Sequence, residues 1–233
     1  RGKNSPTRRL NWYSSIASGE STMFIGHYAV ALGARQIAPN TSLGTLFLAA
    51  QLVDLLWPMF LLLGLEHVRI DPGNTVVTPL DFYDYPITHS LLGSLGWAVG
   101  LGIIYWTVRR NLKGAWIVGG TVLSHWVLDA IAHRPDLPIL PGGGPMVGLG
   151  LWNSLPGTIV VELGLFIAGL AIYLRSTRSQ DRTGFYGLWC LIVILVLIWL
   201  GSVFGPPPPS EIAIGFAGLS QWLFVLWGYW VDR

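Results

Sequence analysis

Apolar residues run along this chain in seven long stretches, each closed by a short polar or glycine- and proline-rich break. They cover 24–38, 43–65, 86–108, 115–132, 152–174, 186–204 and 212–231. Most reach the roughly 17–25 residues that a helical bilayer crossing needs. The first is shorter, about 22 Å as a helix, and predicts a tilted, partial or re-entrant segment. Breaks fall at Pro39-Asn40, across 66–85, at Asn111, in the "PGGGP" of 141–145 and in the "GPPPPS" of 205–210. No internal repeat is evident. The pattern predicts an all-α, polytopic membrane bundle of about seven segments.

Composition narrows the class. Of 233 residues, 52% are hydrophobic and only 11% charged, with mean hydropathy +0.54, whereas a soluble domain carries about 25% charged residues. The formal charge of +2, with no basic stripe interleaved with aromatics, excludes a nucleic-acid partner. A single cysteine, Cys190, leaves neither an intrachain disulfide nor a cysteine-type zinc site. The 12 tryptophans suit interfacial anchors, and Gly96-x-x-x-Gly100 reads as a helix-packing pair. Residues 1–22 differ in kind, being polar, basic and serine-rich, and read as a non-native or disordered leader. The remainder, 23–233, reads as one helical membrane domain, with a candidate metal-site half at 23–133 and supporting helices at 134–233.

Lysine and arginine set the orientation. Arg35, Arg109, Arg110, Lys113, Arg175, Arg178, Arg182 and Arg233 fall on one set of loop sides, against Arg69 and Arg134 on the other. The first set is therefore expected in the cytoplasm. On that map the histidines, together with Asp54 and Asp129, lie at or above mid-depth on the outer side. The stretch "SHWVLDAIAH" sharpens this, because His125, Asp129 and His133 at four-residue spacing share a helical arc of about 80°.

Imidazoles and carboxylates together suit Zn²⁺, with Mn²⁺ or Fe²⁺ as alternatives. His27, Asp54, His89, His125 and Asp129 form the expected metal set, drawn from four segments. Gln51, Thr88, Ser90 and Ser124 are candidates to support those ligands, and His133 is a candidate additional ligand. Pro86 as a first helical residue places His89 in a first turn. Pro58 is expected to kink its helix and give Asp54 room. His67 and His133, near helix ends, equally suit a solvated position, and Glu66, Asp71, Asp81, Asp84 and Asp136 read as solvated loop residues. Glu162, at a depth like that of Asp54, reads as a general base, a further ligand or a structural hydrogen-bonding group. Singly, each polar residue also fits an interhelical hydrogen bond; five at one depth favour a site.

These residues carry a resemblance. "GHYAVALGA" with His27, "AAQLVD" with Asp54, "PITHS" with His89 and "LSHWVLD" with His125 and Asp129 resemble the bacterial membrane-bound predicted metal-dependent hydrolases, distantly similar to zinc-dependent phospholipases C. The resemblance covers roughly Met23–His133. Val53 stands where that pattern often has proline, and Asp84-Tyr85 where it often has His-Arg. It implies a metal-dependent hydrolase of the bacterial inner membrane, with zinc as the expected metal. The lysine and arginine bias places the site toward the extracytoplasmic side, and a site at that depth is expected to act on a phospholipid or lipid-linked ester. Two other readings use the same residues. A transporter or proton-coupled carrier would need polar residues through the cytoplasmic half, or inverted repeats, and neither appears. A structural membrane protein would use the cluster to hold its helices together.

Overall fold

The computed structural model describes residues 24–232. The stretch 1–22, read as a leader, lies outside the described residues. The chain is mainly helical: α1 (Phe24–Ile37), α2 (Leu43–Ala50), α3 (Leu52–Leu62), the one-turn α4 (Pro86–His89), α5 (Leu91–Arg109), α6 (Leu112–Ala132), α7 (Leu155–Ser176), α8 (Arg182–Phe204), α9 (Glu211–Leu219) and α10 (Trp222–Val231). Two antiparallel hairpins join helices at one end. In the first, β1 (His67–Ile70) pairs with β2 (Leu80–Asp84) in the register Arg69 to Asp81; in the second, β3 (Leu137–Pro138) pairs with β4 (Met146–Val147).

Five helical stretches are long and apolar enough to cross a bilayer: α5, α6, α7, α8 and the run Glu211–Val231 that holds α9 and α10. A sixth crossing exists if α2 and α3, bent by 55° at their junction, count as one span. The seven-segment expectation is thus met in part. Of its remaining segments, α1 has only 14 residues, as the shortness of its apolar stretch foretold. Large apolar side chains such as Trp116, Val160, Leu197 and Leu226 point outward from these helices. Water would oppose that exposure, whereas hydrocarbon accommodates it, so this is an integral membrane protein.

Local sequence fixes the boundaries. Ser42, Ser90, Asn111, Ser154, Asp181 and Ser210 each accept a hydrogen bond from the backbone N–H three residues on, starting α2, α5, α6, α7, α8 and α9. Each such cap is worth about 1 kcal/mol. Asn111, read as a break, is therefore also the start of α6, and Arg110 before it takes a left-handed conformation at φ 51°. Two kinks differ from expectation. The bend near Asp54 lies at Gln51 and not at Pro58, which sits within α3. His89 ends the one-turn α4, and Ser90 starts the long helix afresh, so His89 is not in the first turn of a span.

Packing centres on α1, which lies against α7, α2 and α6, while α5 lies on α6, α10 on α2 and α3 on α9. Gly169 of α7 meets the Ala29 backbone of α1, where any Cβ would collide. The Gly96/Gly100 pair does not pack: a Cβ at either would meet open space. Gly102, against Ala115, and Gly119, against Ala98, provide the close α5–α6 approach instead. Arg35 to Asp232, Thr41 to Tyr105 and Thr45 to Tyr229 tie the helices together at the arginine-rich end. At the other end the hairpins, with Trp57, Phe82, Tyr85 and Trp152, form a buried apolar cap.

Candidate metal centre

Beneath that cap four helical elements bring His27, Asp54, His89, His125 and Asp129 together. Each arrives by a separate local device. His27 is one turn into α1. Asp54 is in the first turn of α3, created by the break at Gln51, where the helix dipole favours a carboxylate. His89 is held out by the single turn of α4, and His125 and Asp129 share a face of α6 at four-residue spacing. All five are nearly enclosed: His27 and His125 are 1% exposed, Asp129 3%, His89 5% and Asp54 6%.

The inner contacts are short. His27 Nε2 is 3.2 Å from Asp129 Oδ1, and His125 Nε2 is 3.2 Å from Asp129 Oδ2. His89 Nε2 is 3.2 Å from Asp54 Oδ1 and 3.9 Å from Asp129 Oδ2, while His125 Nε2 is 3.6 Å from Asp54 Oδ1. The His27 and His125 rings stack, 3.6 Å between centroids and 4° from parallel.

Outer contacts decide which nitrogen carries the proton in His125 and His89, whereas His27 Nδ1 has no hydrogen-bond partner among the described residues. His125 Nδ1 lies 2.7 Å from the Ala50 carbonyl oxygen, which only accepts, so Nδ1 is the N–H. Glu66 accepts from the Ile87 and Thr88 backbone N–H groups and, at 2.7 Å, from the Thr88 hydroxyl. Having donated its one proton, that hydroxyl accepts from His89 Nδ1 at 2.7 Å. Both histidines therefore turn Nε2 lone pairs inward, toward carboxylate oxygens. Only positive charge, as a cation or as added protons, offsets such an arrangement. An added proton on His89 Nε2 would be bonded to Asp54 Oδ1, but protons on His27 Nε2 or His125 Nε2 would be poorly bonded, because these atoms and Asp129 Oδ2 lack hydrogen-bond geometry among the described residues despite these distances. Leaving such groups unpaired costs about 1–3 kcal/mol each. Three imidazoles and two carboxylates suit a divalent cation, with zinc, manganese and iron all compatible with this donor set.

The other candidates lie elsewhere. Ser90 caps α5, and Ser124 donates to the Thr121 carbonyl of its own helix. Gln51, fully buried at the α2–α3 break, lies beside Tyr28 with no full hydrogen bond among the described residues. His133 pairs with Asp136 at 3.0 Å, packs at a tilt against Trp152 and stacks with Tyr85, which stands between it and His89. Burial holds the Tyr85 phenol protonated, well above its ordinary pKa. His67 is half exposed in β1 and pairs with Asp84. Glu162 is not in the cluster: its buried carboxyl group on α7 faces the Trp199 indole and the first-turn amides of Ile25 and Gly26. Neither carboxylate oxygen makes a full hydrogen bond among the described residues, and the position suits support of the α1 first turn.

Two supposed loop acids are buried. Glu66 is fully enclosed, and Asp81, 4% exposed, bonds both Arg69 and Arg134. Sequence reasoning missed Glu66 because its partners stand more than twenty residues away; the weak available signal was an acid shortly before a Pro-initiated turn. A cavity of about 670 Å³ lies beside Arg35, Tyr173 and Arg178 and includes none of the cluster. Compared with protein-family models, with curated proteins and with solved structures, the chain matches none of them.

Proposed function

We propose that this protein is a membrane-embedded, divalent-metal-dependent hydrolase of a phospholipid or lipid-linked ester. The observation that carries the reading is the convergence of five ligand-type side chains, with imidazole lone pairs aimed at carboxylates, inside an apolar bundle. A divalent cation there supplies a lowered pKa for water and polarisation of a phosphoryl or carbonyl oxygen. His27, Asp54, His89, His125 and Asp129 would hold it. In hydrolysis the water oxygen bonds to the phosphorus or acyl carbon, the ester bond breaks, and the proton ends on the departing alcohol.

Exposure supports approach from one side. The Asp54 side chain is 9% exposed, that of His89 6% and that of Asp129 5%, against 1% for His27 and His125. The neighbouring Ile87 and Leu92 turn large apolar surfaces outward, so an amphiphile reaches this edge more readily than a soluble solute. The arginine-rich far end favours placing the edge on the extracytoplasmic side.

The near-complete burial of the ligands favours one second reading, a metal clamp that pins four helical elements without chemistry, since structural metal sites are closed. Incubating detergent-purified protein with a total lipid extract, with and without chelator, separates the two. Hydrolysis predicts the released alcohol and its acid or phosphate partner by mass spectrometry, both vanishing with chelator and in Asp129→Ala. A clamp predicts that chelation lowers the melting temperature while the lipids stay intact.

A further inference from the structure

We infer that a groove between α2, α5 and α10, at the arginine-rich end, binds the phosphate head group of an anionic phospholipid. It stands at the opposite end of the bundle from the candidate metal centre and goes beyond the proposed hydrolysis.

The groove encloses about 520 Å³ and has walls of two kinds. One is polar, with Arg35, Arg109 and the hydroxyls of Ser42, Thr45, Tyr105 and Tyr229. The other is apolar, made by Leu48, Leu101, Ile104 and Val108. Ile104 and Val108 belong to α5, long and apolar enough to cross the bilayer, and both are strongly exposed. The apolar wall therefore continues into the lipid-facing surface. A ligand that satisfies both walls has a polar head and a chain, and it enters sideways from the bilayer.

The polar wall has more protons to donate than it uses. Ser42, Thr45 and Tyr229 form a chain of three hydroxyls joined by two hydrogen bonds, of 2.8 and 2.9 Å. Each hydroxyl has one proton and each bond takes one, so one proton is left for the groove whichever way the chain runs. The Thr41 and Tyr105 hydroxyls, 2.8 Å apart, likewise share one bond between two protons. Thr41 is buried and does not line the groove. Thr41 is thus the donor, since the reverse would orphan a buried hydroxyl proton, and Tyr105 keeps its own for the groove. The groove's carboxylate, Asp232, is already engaged, through Oδ1 by Arg35 and through Oδ2 by the Leu43 N–H, both at 3.0 Å. Arg109 is left as a cation with no free carboxylate in the groove. Donors thus converge from α2, α5 and α10. Phosphate oxygens accept in several directions and pair with guanidinium, which fits this wall better than the two coplanar oxygens of a carboxylate. Basic pockets between membrane helices at the cytoplasmic side take phospholipid head groups on the same physical grounds.

The test titrates the full chain in non-ionic detergent by calorimetry, with chelator present so that no metal occupies the centre at the other end. The probes are dioctanoyl phosphatidylglycerol, dioctanoyl phosphatidylcholine, octanoate and inorganic phosphate. The inference expects phosphatidylglycerol to bind tightest, at one per chain. Arg109→Gln should weaken it about fivefold, the change implied by about 1 kcal/mol per basic residue near an anionic surface. Arg109→Lys should restore most of that loss, and Arg178→Gln, outside this groove, should bind like the unaltered chain. Equally tight binding of phosphatidylcholine, octanoate or inorganic phosphate overturns the anionic phospholipid as ligand. Equal losses in Arg109→Gln and Arg178→Gln would mean attraction by the charge of the whole end, and overturn the groove. Because chelator is present throughout, failure here leaves the hydrolase reading standing, and an absence of lipid turnover leaves this site standing.

Discussion

His89 is held from behind as firmly as it is engaged in front. Glu66 takes three hydrogen bonds from the Ile87–Thr88 segment, and the Thr88 hydroxyl passes that orientation to the imidazole. Partners of this kind typically contribute 10–100-fold, as an order of magnitude, to metal affinity. Glu66→Gln and Thr88→Val should therefore weaken binding by about that factor in a chelator competition, with the protein still folded. Loss of a direct ligand in Asp129→Ala should abolish it. His67→Ala, altering a half-exposed pair with Asp84, should bind like the unaltered protein; equal losses in His67→Ala and Glu66→Gln would sink this assignment. The five inner residues were legible because histidine and aspartate are conspicuous in apolar surroundings, and two share a helical face. Glu66 was not, since its meaning comes from a fold that joins residue 66 to residues 87 and 88.

At the scale of elements, the apolar pattern located the helical material better than its breaks. Stretches 115–132, 152–174 and 186–204 correspond closely to α6, α7 and α8. Stretch 43–65 hides a 55° bend at Gln51, a residue with no breaker chemistry, while Pro58 stays inside its helix. The small-residue motif misled for a related reason: sequence shows where glycines line up, and only packing shows which face meets a neighbour. Gly169 is the glycine on which α1 depends, so Gly169→Leu should push α1 from α7. Overpacking of this kind costs about 1–3 kcal/mol, read as a lower melting temperature in detergent, and it should weaken metal binding by moving His27. Gly96→Leu, facing open space, should change neither; a melting temperature that drops as far as that of Gly169→Leu would refute the packing described.

For the whole molecule, alternation of helices puts the loops at 38–42, 110–111 and 177–181 at one end and the hairpins and the 205–210 loop at the other. Arg35, Arg109, Arg110, Lys113, Arg175, Arg178 and Arg182 follow the first end, while Arg69 and Arg134 lie with the acid-rich hairpins at the second. Reporter fusions at Lys113 and at Pro207 should report opposite sides of the membrane, with Lys113 cytoplasmic. The same location for both would remove the outer-face placement of the centre. The overall helical membrane class was readable from hydropathy alone. The number of crossings was not, because a short helix and a broken pair satisfy the same apolar pattern as a full span.

The order of the ligands along the chain also sets a clock. All five precede the end of α6 at Ala132, yet α7, which flanks α1, and α10, which flanks α2, come afterwards. At about 5–20 residues per second, translating the following hundred or so residues takes roughly 5–20 s. During that interval the nascent protein has every residue of the candidate metal centre and lacks the helices that hold two of its walls in place. On the proposed function, ions loaded then would meet an open, adjustable centre, and ions loaded later would have to pass the edge at Asp54 and His89. Metal exchange in the finished protein should accordingly be slow, on the timescale of local opening, however tightly or weakly the ions are held.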